Sequence, residues 1–419
     1  MVLLIKTKIS VLVCTFASAL SKKFKKLRAK FVAVFFIVIT ALMTTLASTN
    51  LALAKTIKLG MSAPFSGPTK ALGINLRLGA EQFFKQYNQT PAGKKNPIKL
   101  ISYDDGYEPS RTIANTRRLI KEDNVFALFG YVGTPTTQAI LPMIEKYKML
   151  FFAPYTGAEF LHNPINPHVF NIRTSYFNEA ELQLEYFSKH YDLKNIALFI
   201  QADAFGIAAS EGYVKALTKR SLSNITQVRY KRNSQDIAQA VKKIAAIKPD
   251  IVLCVGTYQP ISKLINTLRS NSLTMPITMV SFAGAEALHE SLTDFEEVYI
   301  STVVNDPFTS SLPIVKEYRH AMEGLPLSHE SLEGYINAKV FTQILNKSSI
   351  PVTPESFTKA AESTRTNIAN QVFEYTKENH SGNLPAILNK VGKNGVIELP
   401  NIELPNSNRV SKKTVNNPP

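Results

Sequence analysis

The 419-residue chain has no tryptophan, only two cysteines, Cys14 and Cys254, and not one acidic residue in its first 54 positions. Two cysteines cannot staple a disulfide scaffold, and 18 glycines are too few for a collagen-like repeat. Charged residues are 19% and hydrophobic residues 45%, which excludes a chain that is disordered throughout. The usual signatures of catalysis are missing too. The seven histidines show no H-x-H or H-E-x-x-H spacing for a metal. Ser66 in PFSGP is no nucleophile elbow, since G-x-S-x-G is absent. Neither G-x-G-x-x-G nor a Walker loop occurs. The expectation is a chain that is not an enzyme and carries no metal or cofactor.

Net charge is +16, and half of it lies at the start. Residues 1–54 hold eight basic residues, which leaves 40 basic against 32 acidic residues over 55–419, a net +8. That remainder forms no basic cluster interleaved with aromatics, so nucleic-acid binding is not expected. The basic run SKKFKKLRAK (21–30), the apolar run FVAVFFIVITALMTTLAS (31–48) and Ala52-Leu53-Ala54 have the order of a secretory signal peptide cleaved after Ala54. The apolar run is also just long enough to span a bilayer as a retained anchor. The small-residue exit and the strand-like run from Thr56 favour cleavage and a periplasmic product. Cys14 follows Val13, not the small residue of a lipoprotein signal. The mature chain then holds Cys254 alone, inside the apolar run IVLCVG (251–256), as a buried strand residue.

From residue 55 the chain alternates β-rich runs with helical spacing. The runs are TIKLGMS (56–62), PIKLISY (97–103), VFALFG (125–130), MLFFAP (149–154), NIALFI (195–200), DIVLCVG (250–256) and PITMVS (276–281). Ile113, Thr116, Leu119 and Ile120 fall on one helical face, as do Ile237, Val241, Ile244 and Ile247, and Ile261, Leu264, Ile265 and Leu268. Strands that are apolar nearly throughout suit parallel sheets covered on both faces, so the fold class is α/β. The alternation runs to about 173 and restarts near 195, which predicts two α/β lobes. Residues 301–349 read as mostly helical, 371–398 as short strands with a turn at Ser381-Gly382, and 402–419 as a loose polar tail.

Open α/β sheets bind ligands at the carboxyl ends of their strands, and four such ends carry distinctive residues. After VFALFG, Thr134 is placed as a helix N-cap with Pro135 at the first helical position. After MLFFAP, the turn Tyr155-Thr156-Gly157 precedes Glu159; Thr156 with Glu159 has capping-box spacing, and Gly157 admits a close backbone approach by a ligand. At the third end Asn178 is either a cap, with Glu181, or a ligand contact. At the fourth Phe205 is either an apolar wall or an ordinary core residue. Asp104-Asp105 follows a strand end, where paired carboxylates can do acid–base work, and is made a structural, turn-forming pair only by the resemblance that follows; Lys242 and Lys243 read as a solvated face.

The segments LGMSAPFSGP (59–68), GINLRLGAEQFF (73–84), YDDGYEPSRTIANTRRLI (103–120), FGYVGTPTTQAILP (129–142), FFAPYTGAEFL (151–161), FNIRTSYFNEAE (170–181), QADAFG (201–206) and HESLEGYINAK (329–339) occur in this order along the chain. In them the chain resembles the type I periplasmic solute-binding proteins of ABC importers, in their branched-chain amino acid branch. The resemblance implies two Rossmann-like lobes joined by three crossovers, with a ligand cleft between them. Lobe 1 would be 55–174 plus 303–375, and lobe 2 would be 175–302 plus 376–401. It implies a monomer that closes by a hinge over a small solute and is then recognised by an ABC permease in the inner membrane. A ligand-sensing module that reports to a membrane signalling partner would use the same cleft and is the alternative.

Carried onto this sequence, the resemblance assigns the ligand's carboxylate end to Thr134 and to the turn Tyr155, Thr156 and Gly157. Asn178, Phe205 and Tyr258 would line the other lobe. Where the family sets an acid against a ligand ammonium, this chain has Phe282, and Asn178 replaces a second acid. Glu286, four residues on, would substitute after a loop shift. The expected ligand is therefore an amino-acid-like solute, amide or small carboxylate, and not a plain branched-chain amino acid.

Overall fold

The computed structural model describes residues 56–368, 371–382 and 384–399, together with scattered positions between 23 and 35. Apart from those scattered positions, the expected signal peptide, with its cleavage after Ala54, Cys14 and the tail 402–419, lies outside the described residues. The folded unit begins at Thr56. Among the described residues, no helix is long and apolar enough to cross a membrane.

Two separate sheets organise this unit. The first contains β1 (Ile57–Ala63), β2 (Ile98–Asp104), β3 (Ala127–Phe129), β4 (Phe151–Phe152) and β5 (Val169–Phe170). They are parallel throughout, in the order β2-β1-β3-β4-β5. The second begins with β6 (Ile196–Gln201), β7 (Ile225–Tyr230), β8 (Ile251–Val255), β9 (Ile277–Met279) and β10 (Val298–Thr302). A small ladder of β11 (Arg365–Ile368) and β12 (Gln371–Glu374) intervenes. The chain then returns to the second sheet with β13 (Ile387–Gly392) and β14 (Gly395–Glu398), added antiparallel to β10. The order is β14-β13-β10-β9-β8-β6-β7. The turn of this last hairpin falls at Lys393-Asn394, not at Ser381-Gly382 as expected; Ser381 instead bridges to Asn171 beside β5.

The helices are α1 (Lys70–Tyr87), α2 (Pro91–Lys95), α3 (Pro109–Lys121), α4 (Thr134–Tyr147), α5 (Tyr176–His190), α6 (Ala204–Lys219), α7 (Ala238–Ile247), α8 (Tyr258–Ser270), α9 (Ala285–Ser291), α10 (Pro313–Ala321), α11 (His329–Lys347) and α12 (Pro354–Ser363). On α8 the expected stripe Ile261, Leu264, Ile265 and Leu268 is wholly buried, while on α3 Ile113 and Ile120, and on α7 Val241 and Ile247, are half-buried. The strands in the middle of each sheet are covered on both faces, as their unbroken apolar runs require: all five residues of β8, Cys254 among them, are buried. Burial also pushes the Cys254 thiol well above its ordinary pKa, so it is a core residue and no nucleophile.

Helix α11 packs on α1 and on the first sheet, with Leu332, Tyr335, Ile336 and Phe341 in one core with Phe84, Phe129 and Phe152. The crossing is close because it is glycine against backbone: a Cβ on Gly79 would stand 1.7 Å from the Ser331 carbonyl oxygen, and one on Gly334 2.0 Å from that of Leu76. Helix α9 belongs to the other half; its Ala285 and Leu288 pack with Val252, Cys254 and Met279 of the second sheet. Asp104 and Asp105 are the structural pair expected. Asp104 accepts from the amides of Phe65, Ser66 and Gly106, and its carboxyl is held down near a pKa of about 2 by these donors, with the Ser66 hydroxyl and Arg111, against the cost of burial.

Candidate functional site

The carboxyl ends of both sheets converge on one buried cluster. The turn after β3 delivers Thr134, the turn after β4 delivers Tyr155 and Thr156, and the turn after β2 delivers Tyr107. From the second half come Phe205 at the start of α6 and Phe282 after β9. Tyr176 opens α5. All seven side chains are 2% exposed or less.

The polar end of the cluster is a chain of hydroxyls. Thr134 Oγ1 lies 2.7 Å from Thr156 Oγ1, which lies 3.2 Å from the Tyr176 hydroxyl and accepts from the Ala158 amide at 3.3 Å. The capping expectation at Thr134 fails by one residue. Gly133, with φ 107°, is the N-cap, and Thr134 is the first helical residue, so its hydroxyl points to Thr156. Gly133 is required there, because a Cβ would stand 2.3 Å from the Tyr107 ring. The capping box at Thr156 and Glu159 is also absent; the segment makes only a 3-10 turn, Glu159–Leu161, capped by Ala158. Gly157 is required by the packing of the chain on itself. A Cβ there would meet Thr174 O at 2.8 Å and Tyr176 N at 2.9 Å.

The apolar end is a stack of rings around Phe282. Its centroid lies 4.7 Å from Phe205, 5.7 Å from Tyr155 and 5.9 Å from Tyr107, and Phe205 lies 5.5 Å from Tyr176. Tyr258 is buried against Gly284, with Cδ1 3.7 Å from where a glycine Cβ would stand. Asn178 is half-buried and turns its amide back to Thr174 Oγ1 at 2.8 Å; the cap of α5 is Ser175, so neither the expected cap nor a cluster contact is made.

Charged groups surround this core, and of them sequence reasoning gave a role only to Glu286. Arg173 is 1% exposed, and its guanidinium carbon lies 4.0 Å over the Tyr155 ring. Its Nη2 donates to Glu333 Oε2 and Ser281 Oγ, both at 3.2 Å. Its Nε approaches Glu333 Oε1 at 3.0 Å off the line of its N–H, an ion-pair contact and not a hydrogen bond. Burial opposes the arginine's charge, but the carboxylates of Glu333 and Glu179 and the adjacent tyrosines outweigh it and raise its pKa. Glu179 accepts from the Ser281 amide at 2.7 Å and its hydroxyl at 2.8 Å. Glu286, the substitute acid that would need a loop shift, is bound to His329, whose Nδ1 lies 2.6 Å away and whose amide donates to it at 3.2 Å. This pair ties α9 of one half to α11 of the other. Beside it Glu286, with Lys70, Ile74, Asp306 and Phe308, lines a cavity of about 1190 Å³ that both halves contribute to.

These environments set a pH dependence. Burial holds Glu179 and Glu330 up near a pKa of about 7, and their neutral forms favour the fold at low pH. His329 suffers burial but is raised by Glu286, so its stabilising charge is complete below pH 6.5 and is lost as pH rises through its folded value. All three contributions decline as pH rises from about 5 to about 8. Glu286 and Asp104, both lowered, lose theirs only as pH falls below their ordinary values of 4.5 and 3.8. The ligand-free protein is expected to melt at a higher temperature at pH 5 than at pH 8; an equal or lower value at pH 5 would contradict these assignments.

Two α/β halves that present the carboxyl ends of their strands to one another define the type I binding-protein architecture. Residues 56–395 match the periplasmic binding protein family. The structure is similar to that of a possible leucine/isoleucine/valine-binding protein from Rhodopirellula baltica, with a TM-score of 0.79 and 32% identity over 84% of this chain and 98% of that one. It also superposes on a branched chain amino acid ABC transporter protein from Thermus thermophilus with bound valine, with a TM-score of 0.72 and 17% identity over 82% and 95% of the two chains, a likeness of fold. In sequence, Leu/Ile/Val-binding protein homolog 7 of Brucella melitensis is 24% identical over 310 residues, 70% of this chain and 77% of that protein. The chain therefore belongs to the periplasmic binding protein family. Its relatives and its fold are those of substrate-binding proteins, not of enzymes.

Proposed function

We propose that the protein captures a small solute between two hinged lobes in the periplasm and delivers it to an ABC permease. The lobes are 55–174 plus 303–375 and 175–302 plus 376–401, a division in which each sheet falls within one lobe. The observation that carries the reading is the convergence of Thr134, Thr156, Tyr176 and the rings around Phe282 from both sheets at one fully buried point. Such groups can be reached only if the halves separate, and a solute that contacts both halves at once favours the closed form. Hydroxyls and main-chain amides grip the polar head of an amino-acid-like, amide or small carboxylate solute, and the rings of Tyr155, Phe205 and Phe282 cover its body.

Thr134→Val and Thr156→Val keep the size of the side chain and remove the hydroxyl. Both variants are expected to fold and to bind the solute that co-purifies with the wild type about tenfold more weakly, the loss of roughly one polar contact of ~1–1.5 kcal/mol. Native mass spectrometry identifies the solute and calorimetry measures the affinity; unchanged binding in both variants removes these hydroxyls from the site.

A further inference from the structure

Far from the crossovers, two turns meet across the gap between the halves. The first sheet ends on β2 and the second on β7, whereas the chain changes halves after β5 and after β10, toward the opposite ends of the sheets. Four strand spacings separate β2 from β5, and four separate β7 from β10, so the meeting point stands roughly 19 Å across the sheets from the crossovers. An opening rotation of roughly 10° about the crossover edge parts it by about 3 Å, which breaks any hydrogen bond made there.

The first half offers the turn Gly106-Tyr107-Glu108 between β2 and α3. Glu108 is the N-cap of α3, yet its carboxylate makes no cap bond to its own helix. The second half offers the turn 231–234 after β7, closed by a bond from the Ser234 amide to the Lys231 carbonyl at 3.2 Å. Arg232 Nη2 donates to Glu108 Oε2 at 2.8 Å. Asn233, at φ 57°, donates its side-chain amide to Glu108 Oε1 at 2.7 Å and to the Gly106 carbonyl at 3.2 Å. Among the described residues, every side-chain hydrogen bond of Glu108 and Asn233 crosses between the halves. Such bonds add nothing to the fold of either half alone and exist only while the halves are shut.

Both turns lead directly into the cluster. Tyr107, between Gly106 and Glu108, sets its ring 5.9 Å from that of Phe282, and its hydroxyl accepts from Gln201 Nε2 at 3.3 Å. On the other side, Arg232 Nη1 donates to Asp203 Oδ2 at 3.3 Å. Asp203 in turn caps α6, accepting from the Phe205 amide at 3.0 Å and the Gly206 amide at 3.4 Å. The groups that shut the far edge are therefore fixed to the backbone that presents Tyr107 and Phe205.

Resting on the solute-binding reading above, we infer that Arg232 and Asn233 are a clasp that grips Glu108 and Gly106 whenever the halves close, with or without a solute, and so sets how long they stay shut. The three side chains are positioning residues, outside the cluster of rings and hydroxyls. The clasp gives the solute-free protein brief closed visits among long open ones and slows the release of a captured solute. Arg232 is 23% and Glu108 41% exposed in their side chains, so dissolved salt screens the pair and shortens the closed state.

The test is single-molecule energy transfer on the full chain stripped of solute, labelled at Lys121→Cys and Lys243→Cys with Cys14→Ser. Closed visits are expected to shorten about three- to tenfold in Arg232→Gln and in Glu108→Ala. Raising salt from about 0.02 M to about 1 M should shorten them similarly in the wild type and hardly at all in Arg232→Gln. The double variant should fall within a factor of about two of either single one, because both changes remove the same bond. Release of the solute that co-purifies, followed by native mass spectrometry after dilution, should quicken by the same factor. Glu108→Ala should keep the melting temperature of the solute-free wild type, which separates loss of the clasp from loss of the fold. If closed visits and solute release are the same in the wild type and both variants, or if salt leaves the wild-type visits unchanged, the clasp is overturned and the solute-binding reading stands. If no closed state appears in any protein, with or without the solute, both fall.

Discussion

Arg173→Met is expected to destabilise the protein by about 3–5 kcal/mol, because it strips the counter-charge from a carboxylate that stays buried. Glu333 is 3% exposed in its side chain and has Arg173 as its base. Ser281 Oγ loses a donor at the same time, and the Tyr155 ring loses the cation stacked on it. The double variant Arg173→Met, Glu333→Met replaces the whole pair by apolar groups and should recover most of the loss, since an uncompensated charge costs more than an absent pair. Chemical denaturation of wild type, single and double variants measures both steps. A single variant within 1 kcal/mol of wild type, or a double variant no better than the single, would show that the pair carries no such weight.

The second large effect lies at the crossing of α1 and α11. Gly79→Val and Gly334→Val force a side chain into backbone that already stands about 2 Å from the new Cβ. Helices cannot yield by that much without parting, so each variant should lose more than about 3 kcal/mol, beyond the usual cost of overpacking. Gly392→Ala is the control. Its Cβ would meet the Gly395 carbonyl oxygen at an ordinary 3.7 Å, and its cost should stay within about 0.5 kcal/mol. Equal midpoints for Gly79→Val and Gly392→Ala would contradict the crossing geometry.

The strands buried on both faces were legible in the sequence because an unbroken apolar run has few other uses; NIALFI and DIVLCVG are β6 and β8. The edge strand β7, ITQVRY, was not, since only Val228 and Tyr230 of its six residues are fully buried and its composition resembles a surface segment. Strand β10, VYIST, was hidden at the margin of a region read as helical, because β-branched residues in so short a run give no clear period. At the site, the threonines stood out through their place after strand ends, but cap geometry was misassigned by one residue at Thr134 and by three at Asn178, where a left-handed glycine and Ser175 do the capping. Glu330 and Glu333 were visible only as letters in HESLEGYINAK. The signal that could have found them is the buried helix itself: residues 329–338 are buried on every side, so acids interspersed with Leu332, Tyr335 and Ile336 face a core and not water. Arg173, in FNIRTS, needed its partner's position before its role could be seen, and that contact spans 160 residues.

The central claim is that the halves part and close around a solute. Single-molecule energy transfer tests it directly, with labels on Lys121→Cys at the end of α3 and Lys243→Cys on α7. Both positions are exposed and lie on opposite halves, and Cys254 is buried and unreactive. With Cys14 replaced by serine, protein stripped of solute should show a wide separation, and solutes that raise its melting temperature should shift it to a narrow one. A single separation, unmoved by a solute that binds, would contradict the account.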